Sequence, residues 1–123
     1  MRQIRVYIID VNAAVRRALA TRLEADPHLQ VVGMSNSLSN AGPHLEMIKP
    51  DVVIYGLNHK IQNNVSTAVR ELSRTTPTIV LVPYADELER QEMLDAGVKL
   101  YLLKQIDSTR LIREIDNIAY QTI

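Results

Sequence analysis

Short runs of aliphatic and β-branched residues alternate along the chain with stretches whose apolar positions recur every three or four residues. This is the pattern of a parallel sheet wrapped by helices. Ile4 to Ile9 (IRVYII) forms the first run and stops at Asp10. Asn12 is placed to cap a helix carrying Val15, Leu19 and Leu23 on one face, closed by Pro27. Leu29 to Met34 reads as the second strand, and Ser35 to Gly42 as loop. Pro43 is suited to the first position of a short helix bearing Leu45 and Ile48. Val52 to Tyr55 and Ile79 to Val82 have no polar alternation, so both read as central strands buried on two faces. Between them lie a loop, Gly56 to Asn64, and a helical stripe of Val65, Ala68, Val69 and Leu72. Asp86 opens a helix through Met93 and Leu94 that ends at Gly97. Leu100 to Leu103 is a fifth strand, and a last helix from about Ser108 presents Leu111, Ile112, Ile115, Ile118 and Ala119. Five βα units in 123 residues predict one α/β domain over residues 1–123, a doubly wound five-stranded parallel sheet of the flavodoxin-like type.

Composition narrows the function classes. Fourteen basic residues balance fourteen acidic ones, so no overall field draws the domain to nucleic acid or anionic lipid. Direct nucleic-acid contact by this segment is not expected. Cysteine is absent, which removes disulfides, thiolate metal sites and thiol nucleophiles together. No apolar run is long enough to span a membrane and no export signal opens the chain, so a cytoplasmic location is expected. Phe and Trp are also absent, which argues against stacking platforms for bases.

In such a sheet, ligands bind beyond the carboxyl ends of the strands. Enzymatic versions of the fold find no support there. Val11-Asn12-Ala13-Ala14 is neither a hydroxyl-rich flavin phosphate loop nor a Gly-x-Gly-x-x-Gly turn, and no His follows in the place a cobalamin domain would put one. The segments IRVYIID, EADPHLQVVG, KPDVVIYGL, PTIVLV and AGVKLYLLK carry a different likeness. Over nearly its whole length the chain resembles the receiver domain of two-component response regulators. The phrasing is most similar to the NarL/LuxR-type subgroup, in which such a domain precedes a helix-turn-helix.

The resemblance implies an active site that can be followed one position at a time. Receivers place two acids after the first strand; Asp10 matches the first, and Val11 stands where the second, metal-binding acid belongs. The phosphoacceptor Asp ends the third strand, and here that position is Gly56. The hydroxyl residue ending the fourth strand is replaced by Val82, followed by Pro83, while Lys104 and the switch-type aromatic Tyr101 match. Phosphoryl transfer to a receiver needs a carboxylate nucleophile, Mg²⁺ and donors for developing charge. Gly56 has no side chain to attack with, and Mg²⁺ prefers more than one lone carboxylate beside an apolar residue. Val82 lacks the hydroxyl that would bond a phosphoryl oxygen. The expectation is a phosphorylation-independent pseudo-receiver: a non-enzymatic interaction module, with no metal and no cofactor, in signal transduction. Transcriptional control through a further domain is expected, with a small-molecule sensor in the vacated pocket as the alternative.

Each singled-out residue also has a plain structural reading. Asp10 is a relic metal ligand or a cap for the following turn, and the cap is preferred. Lys104 is expected to pair with Asp10 or face solvent. Tyr101 reads as packing, with its hydroxyl at the rim, in preference to a rotameric switch. His28, His44 and His59 lack ligand spacing and read as surface residues, although His59 is placed where a substitute phosphohistidine would sit. Glu87, Glu89, Glu92 and Asp95 form a solvated helix face or an acidic docking strip, and Arg110 and Arg113 on the last helix are its basic counterpart. Those two strips predict a homodimer, or a partner protein, on the face built from the fourth helix, fifth strand and last helix.

Overall fold

The computed structural model describes residues 3–58 and 63–121. Five strands and five helices alternate: β1 Ile4–Ile9, α1 Ala13–Glu24, β2 Leu29–Ser35, α2 Leu38–Ile48, β3 Val52–Gly56, α3 Asn63–Thr75, β4 Thr78–Val82, α4 Glu87–Asp95, β5 Leu100–Leu103 and α5 Ser108–Gln121. All pairings are parallel, in the order β2-β1-β3-β4-β5. The order reverses between β1 and β3, so the crevice beyond their carboxyl ends lies at Asp10 and Gly56. The flavodoxin-like α/β architecture is the one the hydrophobic pattern predicts.

Burial follows that pattern closely. All five residues of β4 are buried, as are Val52, Val53 and Ile54 of β3. On one face of the sheet, Leu19 and Leu23 of α1 and Leu111, Ile115 and Ile118 of α5 close over Val6, Ile8, Ile54 and Leu81 in one continuous core. The other face divides. Val69 and Met93 gather around Val80 and Val82, while Ala41 and Leu72 cover Tyr7, Ile9 and Val53. Between α2 and α3 an open cleft of about 850 Å³ remains, lined by Leu38, Leu45, Ala68 and Leu72 among others.

Three local features differ from expectation or sharpen it. The second helix starts at Leu38, not Pro43, because Ser37 caps it: Ser37 Oγ accepts the Asn40 N–H at 3.1 Å, and the Ser37 carbonyl accepts the Ala41 N–H at 3.0 Å. Pro43 is therefore inside the helix, where it withholds one hydrogen bond from an exposed turn. The stretch expected as loop after β3 is shorter than Gly56–Asn64, since Gly56 ends β3 and α3 begins at Asn63. On β2, the register with β1 shifts after Val6 and sets Gly33 opposite Tyr7. A Cβ at position 33 would lie 2.6 Å from Tyr7 Cε2, so the fully buried ring requires glycine beside it.

Candidate functional site at the carboxyl edge of the sheet

The ends of β1, β3 and β5 bring three side chains together. Asp10, one residue past β1, is 2% exposed. Its Oδ1 accepts the Asn12 backbone N–H at 2.9 Å and Asn58 Nδ2 at 3.0 Å, and its Oδ2 accepts Lys104 Nζ at 2.8 Å. Lys104 Nζ also donates to Asn58 Oδ1 at 2.5 Å. The triangle Asp10–Asn58–Lys104 thus fastens the loops that follow β1, β3 and β5 to one another. The backbone prepares it: the Lys104 N–H bonds the Val82 carbonyl at 2.7 Å, extending the β4–β5 ladder to the residue that carries the ammonium. Arg16 adds a further tie from α1, its Nη1 donating to the Asp10 carbonyl oxygen at 2.5 Å.

Both structural roles expected for Asp10 hold at once. It turns the chain toward Asn12, which caps α1 by accepting the Val15 N–H at 3.0 Å, and it pairs with Lys104. The pair is more enclosed than two charges at a sheet edge would suggest, with side-chain exposures of 18% for Lys104 and 3% for Asp10. Gly56 explains how the carboxylate fits. A Cβ at position 56 would meet Asp10 Oδ2 and stand 2.9 Å from its Cγ, so the carboxylate occupies the space that any side chain at 56 would need. Val11 is 62% exposed and contributes no oxygen, while Val82 is buried. The residues do not fit Mg²⁺: the one carboxylate already holds an ammonium, and Val11 and Gly56 offer no side-chain oxygen beside it. Among the described residues no cluster of His, Cys, Asp or Glu is suited to a metal ion.

Tyr101 is packed against the α3–α4 core, but its hydroxyl is not simply at the rim. It donates to Glu89 Oε1 at 2.5 Å and accepts the Asp86 N–H at 3.4 Å. Burial first, and then the hydrogen bond to Glu89, push its pKa up to about 12. Glu89 is consequently turned toward β5, while Glu87, Glu92 and Asp95 stay exposed. Of these, Glu87 pairs with Arg90 at 3.3 Å and Asp95 accepts Gln91 Nε2 at 2.9 Å. Arg110 and Arg113 are exposed on α5, across the edge strand from α4.

The histidines divide three ways. His44 is exposed and shares a 3.2 Å hydrogen bond with the buried Tyr7 hydroxyl. His28 is not a free surface residue: its Nε2 meets Asp116 Oδ1 of α5 at 2.6 Å and its Nδ1 meets Asp26 Oδ1. Those carboxylates, Asp116 foremost, raise its pKa above the ordinary value. His59 lies outside the described residues. Sequence reasoning missed Asn58 and Arg16. The signal for Asn58 was its position as the first amide after β3, facing a Lys and an Asp whose unused hydrogen-bonding capacity it satisfies.

The sequence and the fold have counterparts among known proteins. The chain is 27% identical over 118 residues to the DNA-binding transcriptional activator DevR/DosR of Mycobacterium tuberculosis, covering 94% of this chain and 54% of the relative. It is 29% identical over 107 residues to a protein-glutamate methylesterase/protein-glutamine glutaminase of Alkalilimnicola ehrlichii, covering 84% of this chain and 27% of that protein. The chain therefore spans about half or less of these relatives. The signal receiver domain of the response regulator NarL from Mycobacterium tuberculosis superposes with a TM-score of 0.82 at 19% identity, covering 98% of both chains. No helix among the described residues is long and apolar enough to cross a membrane. With the family model of the response regulator receiver domain matching residues 6–116, the chain belongs to that family.

Proposed function

We propose that this receiver domain works without phosphorylation, as a non-enzymatic interaction module of a cytoplasmic signalling protein that controls transcription through a further domain. The observation that carries this reading is the Asp10 carboxylate lying where a phosphoacceptor side chain would stand, held by Lys104 and Asn58. A carboxylate nucleophile, a second metal-binding acid and a hydroxyl for readout are each missing, at Gly56, Val11 and Val82. These three losses fall on separate steps of phosphoryl transfer, so no single residue change repairs the site. The test is incubation with acetyl phosphate and Mg²⁺ followed by intact-mass analysis. No acid-labile adduct is expected for the wild type or for Gly56→Asp, whose new side chain collides with Asp10 and still lacks a metal partner at Val11. A stoichiometric acid-labile phosphoprotein from the wild type overturns the proposal.

The output surface in this reading is the face formed by α4, β5 and α5, used for self-association or for a partner protein. Supporting it, Tyr84, Leu88 and Leu103 are exposed at 82%, 85% and 42% near the same end of the sheet. Acidic side chains on α4 and basic ones on α5 flank the edge strand, which suits an isologous pairing of acidic with basic helix. Sedimentation of the wild type against Arg110→Glu/Arg113→Glu checks it. A dimer that the double variant abolishes supports the arrangement, and an unchanged dimer places the interface elsewhere.

A further inference from the structure

Behind Asp10, between α1 and the sheet, lies a second cavity of about 210 Å³. Its walls are apolar, from Ile8, Leu81, Val15 and Leu19, and its charged lining consists of Asp10, Lys104 and Arg22. Ile8, Leu81 and Leu19 are nearly fully buried at its floor, while Val15 and Ala18 stand at its open mouth, where a small ring or a short aliphatic chain would rest. The charges are unequal. Asp10 is neutralised by Lys104 and accepts two further N–H groups, leaving little negative field. Lys104 uses two of its three N–H donors, on Asp10 and Asn58. Arg22 spends Nε on Ser108 Oγ at 2.8 Å and Nη2 on the Ile106 carbonyl at 2.6 Å, so its guanidinium is held in place while Nη1 stays uncommitted among the described residues. With Val11 and Gly56 adding no acid beside Asp10, the lining carries a net positive charge, held by the pre-positioned Arg22.

We propose that this cavity binds a small monocarboxylate with an apolar body, its carboxylate directed to Arg22 and Lys104 and its body against the α1–sheet core. An anion of that shape meets both the net positive lining and the walls; a polyanion would leave the walls uncovered, and a cation would be opposed by Arg22, whose charge no acid in the lining offsets. The proposal rests on the reading that the site has left phosphoryl chemistry. Its test contains neither phosphodonor nor Mg²⁺, so the two fail separately.

The protein is titrated with benzoate and hexanoate at constant ionic strength, with benzyl alcohol and benzylamine as neutral and cationic counterparts, by calorimetry and amide chemical shifts. Benzoate should saturate with a Kd of about 1 mM, at least about tenfold tighter than benzyl alcohol, with shifts at Val15, Leu19 and Leu81. Arg22→Gln should bring benzoate down to the level of the alcohol, and Arg22→Lys should recover the preference for the acid. Ala18→Leu, which adds bulk at a lining position of α1, should weaken both acids about tenfold without altering the fold. No saturation with either acid, equal affinity for acid, alcohol and amine, or shifts confined to the α2–α3 cleft each overturn the proposal.

Discussion

Two clusters of charged and polar side chains tie loops together at opposite edges of the same sheet, and they differ in what holds them. At the carboxyl edge, the buried Asp10 pairs with the partly buried Lys104, supported by Asn58, Asn12 and Arg16. At the amino edge, beside the start of β2, His28 bridges Asp26 and Asp116 with its side chain 24% exposed and those of the two carboxylates about a third exposed. In the first cluster the Asp10 carboxylate is withdrawn from water, so it depends on the donors around it to offset its desolvation. The second stays in contact with solvent, so its strength follows the protonation of a single imidazole. Similar groups therefore act as a tie around a desolvated carboxylate at one edge and as a pH-dependent tie at the other.

Removing one partner of the Asp10–Lys104 pair should give the largest effect. Lys104→Met leaves the enclosed Asp10 carboxyl without its ammonium partner, and should cost about 3 kcal/mol in urea unfolding. Adding Asp10→Asn should return a large part of that loss; if the double variant is no more stable than the single, the pair is not the unit that matters. Gly56→Ala comes next. Its Cβ enters the space of the Asp10 carboxylate and should cost about 1 to 3 kcal/mol, with the Lys104 side-chain amine shifting in NMR spectra. Unchanged stability would mean that Asp10 has another place to go.

The smallest effect is the pH dependence at the amino edge. The His28 pKa is raised in the folded protein, so the folded state binds the proton more tightly than the unfolded chain does. Its contribution is therefore fully present below the ordinary histidine pKa of about 6.5 and is lost as pH rises through the raised value. Unfolding measured from pH 5.5 to 8.5 should show a decline in stability that His28→Gln removes and Asp116→Asn reduces. Variants of Lys104 should leave that decline in place, which separates the two clusters.

The order of elements was legible in the chain because period-two and period-3.6 hydrophobic patterns differ, and because β3 and β4 are apolar without interruption. Caps with an unambiguous side chain, Asn12 and Asp86, also stood where the pattern put them. The start of α2 did not, since Pro43 and Ser37 both carry helix-start signals, and the Ser37 cap is chosen together with the packing of Ala41 against Tyr7 and Val53. The composition of the edge site was likewise readable, down to the mutual attraction of Asp10 and Lys104, because positions at strand ends follow from the fold.

The chain by itself determined the five βα units, the family, and which groups are absent from the strand ends. Its local sequence could not say that Asp10 fills the space above Gly56, that Asn58 joins it, or that Glu89 belongs to Tyr101. Those contacts link residues 12 to 94 positions apart, and their geometry is fixed only when the sheet closes. His28 teaches the same: its partner Asp116 is 88 residues away, brought near by α5 crossing back over the sheet. Periodicity reports which face of an element is buried. The meeting of side chains from separate elements depends on register and twist, which only the assembled tertiary structure sets.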